Sequence, residues 1–145
     1  MKKKGYYEYD HPIYPHLLCV GVGLQFEDAK KAFLNNDGTD IEEYEFGKCD
    51  GFTYYGLHVR RDGRKCVLVL FGSKNAMRMN VVCHESSHAC DAIENDIEME
   101  HGGEPSAYLI GWIASCINKA RLGIGDFVEI KDKEELLMKP IIVID

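Results

Sequence analysis

Apolar positions along the chain change their spacing in a way that separates strands from helices. Leu17-Leu18-Cys19-Val20-Gly21-Val22-Gly23-Leu24 is a short, nearly continuous apolar run behind Pro12-Ile13-Tyr14-Pro15, which predicts a buried strand after a turn. Phe26, Ala29, Lys30 and Phe33 recur at helical spacing and predict a short amphipathic helix over residues 26–34, ending at Asn35-Asn36-Asp37-Gly38. Residues 41–50 are acidic and read as a solvated face anchored by Tyr44 and Phe46. Phe52 to Arg60 and Lys65 to Phe71 are β-branched and aromatic runs joined through Arg61-Asp62-Gly63-Arg64. Asp-Gly between such runs predicts a hairpin.

Two longer patterns have helical periodicity. From Lys74 to Asn95 the chain predicts a helix capped by Ser73 or Asn75. Met79, Val82, Ser86, Ala89 and Ile93 form one side of it, and Val81, His84, Glu85, His88 and Asp91 turn toward a polar site. An acidic connection over residues 96–103 ends in His101-Gly102-Gly103. Glu104-Pro105 then opens a second helix, since proline suits a first helical turn. Ala107, Ile110, Ile113, Ala114 and Ile117 give that helix a core stripe, Gly111 is read as a close-approach point, and Gly123 and Gly125 end it. Pro140 to Ile144 reads as a late strand, and residues 1–10, starting with Lys2-Lys3-Lys4, read as a solvated, disordered tip. The expected architecture is α+β: a small antiparallel sheet packed on two long helices, in a single domain over residues 1–145.

Composition narrows the function. The hydrophobic fraction of 46% and charged fraction of 28% are globular values, and no apolar run reaches the length needed to cross a bilayer. A net charge of -7 argues against nucleic acid as the main partner. The first lysines lead into Gly5-Tyr6-Tyr7-Glu8 instead of an apolar stretch, so a cytoplasmic, membrane-free protein is expected. Six cysteines without a C-x-x-C pair predict small buried thiols. Gly21 and Gly23 lack the third glycine of a dinucleotide loop and read as strand packing. Nothing in the sequence sets an oligomeric state.

The chemistry concentrates in Cys83-His84-Glu85-Ser86-Ser87-His88. In H-E-x-x-H on a helix, the two histidines project from one face and can share one metal ion, with Glu85 beside it to accept a proton from a bound water. The bland alternative is a pair of hydrogen-bonded histidines on a half-buried helix. A catalytic zinc site needs a third protein ligand and an open position. Glu104, at the start of a helix that can fold back on the first, is the leading candidate, with Tyr108 one turn further on. His101 is the main alternative ligand, and Glu98 and Glu100 rank below it.

The run His84-Glu85-x-x-His88-Ala89, followed by Gly103-Glu104-Pro105-Ser106-Ala107-Tyr108-Leu109-Ile110-Gly111-Trp112-Ile113, resembles small phage- and prophage-encoded proteins with a zincin-type core. Ile13-Tyr14-Pro15 before a strand fits the same group. More broadly the arrangement is similar to gluzincin peptidases. That resemblance implies a zincin-like metallopeptidase core, a zinc ion held by His84, His88 and Glu104, Glu85 as general base, and a peptide or protein substrate hydrolysed in the host-cell cytoplasm. Thermolysin-like enzymes place an aspartate four residues after the ligand glutamate, where this chain has Tyr108. Asp91 would then support the ligands, or Tyr108 would donate to the substrate oxyanion. The spacing from His88 to His101-Gly102 resembles Spartan-like proteases, whose third ligand is a histidine in that context. In zincins an edge strand binds extended peptide, which would place Val67 to Phe71 beside the site, with the acids from Glu94 to Glu100 favouring basic segments. A different class stays open: a non-catalytic phage-derived binding or assembly protein with a structural zinc site.

Overall fold

The computed structural model of the chain describes residues 3–43 and 50–131. Its elements are β1 (Gly5–Asp10), β2 (Leu17–Val22), α1 (Phe26–Ala32), β3 (Phe33–Asn35), β4 (Gly51–Val59), β5 (Lys65–Phe71), α2 (Met79–Asp96), α3 (Gly103–Arg121) and β6 (Asp126–Glu129), with a 3-10 turn over Lys74–Ala76 before α2. The fold is α+β.

All six strands form one sheet in the order β3-β4-β5-β2-β1-β6. The β4–β5 hairpin is antiparallel as expected, but β2 and β5 pair in parallel from Leu17↔Cys66 to Val22↔Phe71. The sheet is therefore mixed, not antiparallel. Residues 23–64 make the crossover that a parallel neighbour requires. The unbroken apolar runs of β2 and β5 follow from the same fact, because both faces of these central strands are covered. Leu18, Val20, Val67, Val69 and Phe71 face α2 and α3, meeting Ala89, Ile93, Leu109, Ile113 and Ile117. Leu17, Cys19, Cys66, Leu68 and Leu70 face the other way, against Tyr6, Phe33, Leu57 and Ala29 of α1.

The structure corrects several expectations. Residues 5–10 are not a disordered tip: β1 lies between β2 and β6, and Tyr6 is 1% exposed against the Phe33 ring. Tyr6 and Glu8 share one face, where Glu8 is paired with Arg61 and so can stand in a strand despite its charge. Phe33 leaves the helix and pairs with Val59 in β3, so α1 is shorter than its apolar spacing suggests. Ile41 is buried, whereas Tyr44 and Phe46, like Pro140 to Ile144, lie outside the described residues.

Ser73 caps only the 3-10 turn, accepting from the Ala76 amide, and α2 begins at Met79, which is 82% exposed instead of lining the core. On α3 the buried stripe is Ser106, Leu109, Ile113, Cys116, Ile117 and Ala120, while Ala107 is exposed. Gly111 is exposed too, with no atom within 4 Å of a side chain placed there, so it does not mark a close helix approach. Cys19, Cys66, Cys90 and Cys116 are buried as expected, and Cys83 is exposed. Among the described residues no helix is long and apolar enough to cross a membrane.

Ile113 is completely buried between α3 and the sheet. Ile113→Ala is expected to lower unfolding free energy by about 2–5 kcal/mol without changing the fold, read from urea denaturation and circular dichroism. A loss well under 1 kcal/mol would show that this layer is not the core.

Candidate metal centre

α2 packs against β4 and β5 of the sheet. At its start α2 touches β4: a Cβ on Gly51 would stand 2.9 Å from Glu85 Cγ and 3.1 Å from Val81 Cγ1. Only glycine permits that approach. Glu85, 5% exposed, turns into the contact and its Oε1 accepts a hydrogen bond of 2.8 Å from the Thr53 hydroxyl on β4. A buried carboxylate needs such a donor. Arg78, just before α2, is ion-paired with Asp50, just before β4, and closes the same corner.

α2 and β4 together line a cavity of about 690 Å³. His84, Glu85, His88 and Asp91 line it from the helix, and Thr53 and Leu57 from β4. At the far end stands His16, 6% exposed, with Nε2 2.6 Å from Asp96 Oδ2, while Lys65 Nζ approaches the same oxygen at 3.8 Å. His16 and the Thr53–Glu85 bond were not foreseen: neither partner sits in a recognisable motif, and only the three-dimensional pairing of β4 with α2 shows them.

His84 and His88 stand exposed on the rim, and their Nε2 atoms are 3.1 Å apart. Two nitrogens bound to one tetrahedral zinc at 2.0–2.1 Å are roughly 3.3 Å apart. The two imidazoles therefore already have the spacing that a shared ion requires, and a direct ring-to-ring hydrogen bond is the alternative use of the same geometry.

Glu104 is not brought to them. α3 meets α2 through Cys90 and Glu94: Cys90 Sγ lies 3.9 Å from the Ser106 carbonyl, and the Ser106 hydroxyl is bonded to Glu94. At roughly 100° per residue, Cys90 lies about 200° around the helix from His88. α3 thus occupies the flank of α2 turned away from the histidines. Glu104 is exposed in its first turn and outside the cavity lining, and Tyr108 is 76% exposed. Among the described residues no group of three His, Cys, Asp or Glu side chains is close enough to hold one ion.

His101 is engaged elsewhere. Its Nδ1 lies 3.1 Å from Glu94 Oε2 and 3.4 Å from Asp91 Oδ1. Glu94, expected from sequence to be the first of the acids favouring a basic substrate segment, is instead 2% exposed inside α2. Burial opposes its charge, but the Cys90 thiol at 2.6 Å, the Ser106 hydroxyl and His101 outweigh that and hold the carboxyl below its ordinary value. The Cys90 thiol is pushed up to about 12, by burial first and by Glu94 second. Its spacing to Glu94, four residues on a helix face, was the available signal for this clasp.

Comparison with known protein families, with characterised proteins and with solved structures finds no match.

Because the folded Glu94 carboxyl is below its unfolded value, its stabilisation is present above the ordinary value of 4.5 and is lost as pH falls through the depressed one. Glu94→Gln is expected to be less stable at neutral pH by about 1–3 kcal/mol and to lose stability less steeply below that value. Urea midpoints across the acid range check this, and parallel pH profiles for the two proteins would refute it.

Proposed function

We propose that the chain is a zinc-dependent peptidase with a zincin-like core, in which His84 and His88 supply two metal ligands and Glu85 acts as general base. The observation that carries this reading is the imidazole pair at zinc spacing, on the rim of a cavity whose wall holds the Glu85 carboxylate. Bound zinc would polarise a substrate carbonyl and lower the pKa of a water toward ~7. Glu85 takes the water proton and passes it to the leaving amine, while Thr53 fixes one carboxylate oxygen and leaves the other for that transfer. Glu104 is the proposed third ligand and has to reach across the solvent side of α2 from the first turn of α3. Asp91 then supports the site through its contact with His101, and Tyr108, one turn beyond Glu104, is the oxyanion donor.

The substrate is a peptide or protein segment. β3 pairs with Leu57 to Val59 on the outer side of β4. β5, expected to be the substrate edge, is internal between β4 and β2 and cannot serve.

A second reading has an observation of its own. The buried bond from Thr53 to Glu85 is also what a structural anchor requires, so the same residues suit a non-catalytic binding or assembly protein with a structural zinc site. Elemental mass spectrometry on the purified protein and its variants separates the readings. The parent is expected to hold near-stoichiometric zinc, lost in His84→Ala, much reduced in Glu104→Ala and kept in His101→Ala. Loss in His101→Ala alone would move the site to the Spartan-like ligand set. Glu85→Gln is expected to keep zinc and lose at least about 100-fold in peptide hydrolysis. Absence of zinc from the parent, with no thermal stabilisation on adding it, sinks both metal readings.

A further inference from the structure

We infer that His11 is a proton-sensitive lock on the loop between β1 and β2, closed when its ring is neutral and open when the ring is protonated. The loop spans residues 11–16, since Asp10 and Leu17 still pair across the two strands. Pro12 and Pro15 have no amide hydrogen, so between them only Ile13 and Tyr14 have amides to place. Both go to one atom: His11 Nδ1 accepts from the Ile13 amide at 3.0 Å and from the Tyr14 amide at 3.1 Å. An imidazole nitrogen accepts only when it carries no proton, so the hydrogen sits on Nε2 and the ring is neutral. The same ring stacks on Tyr14 with centroids 4.6 Å apart and meets the edge of Trp112 on α3 at 4.6 Å. Tyr14 in turn donates from its hydroxyl to Met99 Sδ at 3.4 Å. One lone pair thus closes the turn and sets the ring that ties it to α3.

A proton on Nδ1 turns that acceptor into a donor facing two donors, so both amide bonds are lost together. Burial already holds the His11 ring below its ordinary value of 6.5, and it is the one cause acting there. The surrounding charges are engaged elsewhere. On β1, Asp10 is paired with Arg64, and on the loop itself His16 is paired with Asp96. On α3, Tyr108 and Cys116 stand one turn to either side of Trp112, and Lys119 lines a small cleft beyond the indole with Asp126. Glu98 and Glu100 flank Met99 and are exposed. Because the folded ring resists the proton more than the unfolded one, the lock is closed above 6.5 and opens as pH falls through the lower folded value. The loop also carries His16 to the cavity, so the residue at the far end of that cavity is mounted on a turn that acid unties. The device needs no metal and is independent of the peptidase reading.

Trp112 is the one tryptophan of the chain and lies against the His11 ring, so its emission reads the lock directly. Emission is followed from about pH 7.5 to about pH 4.5 in the parent, His11→Asn and His11→Ala, with circular dichroism to check that each stays folded. Asparagine places an amide oxygen where Nδ1 stands and accepts the same two amides without titrating. The parent is expected to change emission in one step with a midpoint below 6.5, and His11→Asn to stay flat. A parent that does not titrate, or a His11→Asn protein that titrates like it, overturns the inference. Amide exchange by nuclear magnetic resonance then separates opening from simple quenching of the indole. Protection of the Ile13 and Tyr14 amides is expected to fall at least about tenfold across that range in the parent, to persist in His11→Asn, and to be lost at neutral pH in His11→Ala. Protection that survives acid in the parent overturns the inference, as does a ring found with its proton on Nδ1 at neutral pH. The parent and His11→Asn decide the matter on their own where His11→Ala does not fold.

Discussion

The close contact between the first turns of α2 and the start of β4 is the constraint on which the site depends. Gly51 removes the side chain that would keep the two apart, and Thr53 supplies the hydroxyl that lets Glu85 be buried between them. Once that corner is pinned, α2 has one course left: Ala89 and Ile93 drop onto the apolar face of β2 and β5, and Asp96 reaches His16 at the far side of the sheet. α2 and β4 then line the cavity from its two sides. The residues that would do chemistry are therefore held by the same few contacts that set the fold, which is how a site on a rigid element gains positional precision.

A second buried acid fixes the other flank. Glu94 is held by a thiol, a hydroxyl and a histidine, with no lysine or arginine among its described partners. A buried carboxylate held this way favours one packing of its neighbours, since removing any donor leaves charge poorly satisfied. The clasp ties Cys90 and Glu94 to Ser106 and fixes where α3 begins. It also occupies the His101 ring. α2 thus divides its surface between two tasks, a packing flank toward α3 and a flank that lines the cavity shared with β4.

Much of the fold was legible because local patterns and burial agreed. β2, β4, β5 and both long helices follow from apolar runs, the Asp-Gly turn and the proline and glycine signals at the ends of α3. What was missed depended on partners distant in sequence. β1 looked solvated because Lys2 to Lys4 and Glu8 dominate its surroundings, yet its tyrosines are fixed by β2, β6 and Phe33. Periodicity cannot distinguish parallel from antiparallel pairing, so the mixed sheet was out of reach. For the site, His84, Glu85, His88 and Asp91 meet in one cavity as their helical spacing implies. Glu104 does not join them, because fold-back alone leaves open which flank of α2 the second helix takes.

For the proposed zinc site the third ligand is the decisive geometric question, and helical geometry limits the answers. Asp91 shares the cavity, but it is seven residues from His84, a rise of roughly 10.5 Å along one helix. One ion between His84 and His88 is out of its reach. The completing ligand has to come from another element. β4 offers Thr53, already used by Glu85, and the far end of the cavity offers Asp96, already used by His16 and Lys65. The remaining approach is over the solvent side of α2. His101 already lies on that side at Asp91, one turn from His88. Gly102 and Gly103 follow at φ of 113° and 71°, conformations that glycine adopts freely, and Glu104 comes next. Glu104 is already helical in the first turn of α3, so bringing it to the histidine pair requires that turn to rearrange.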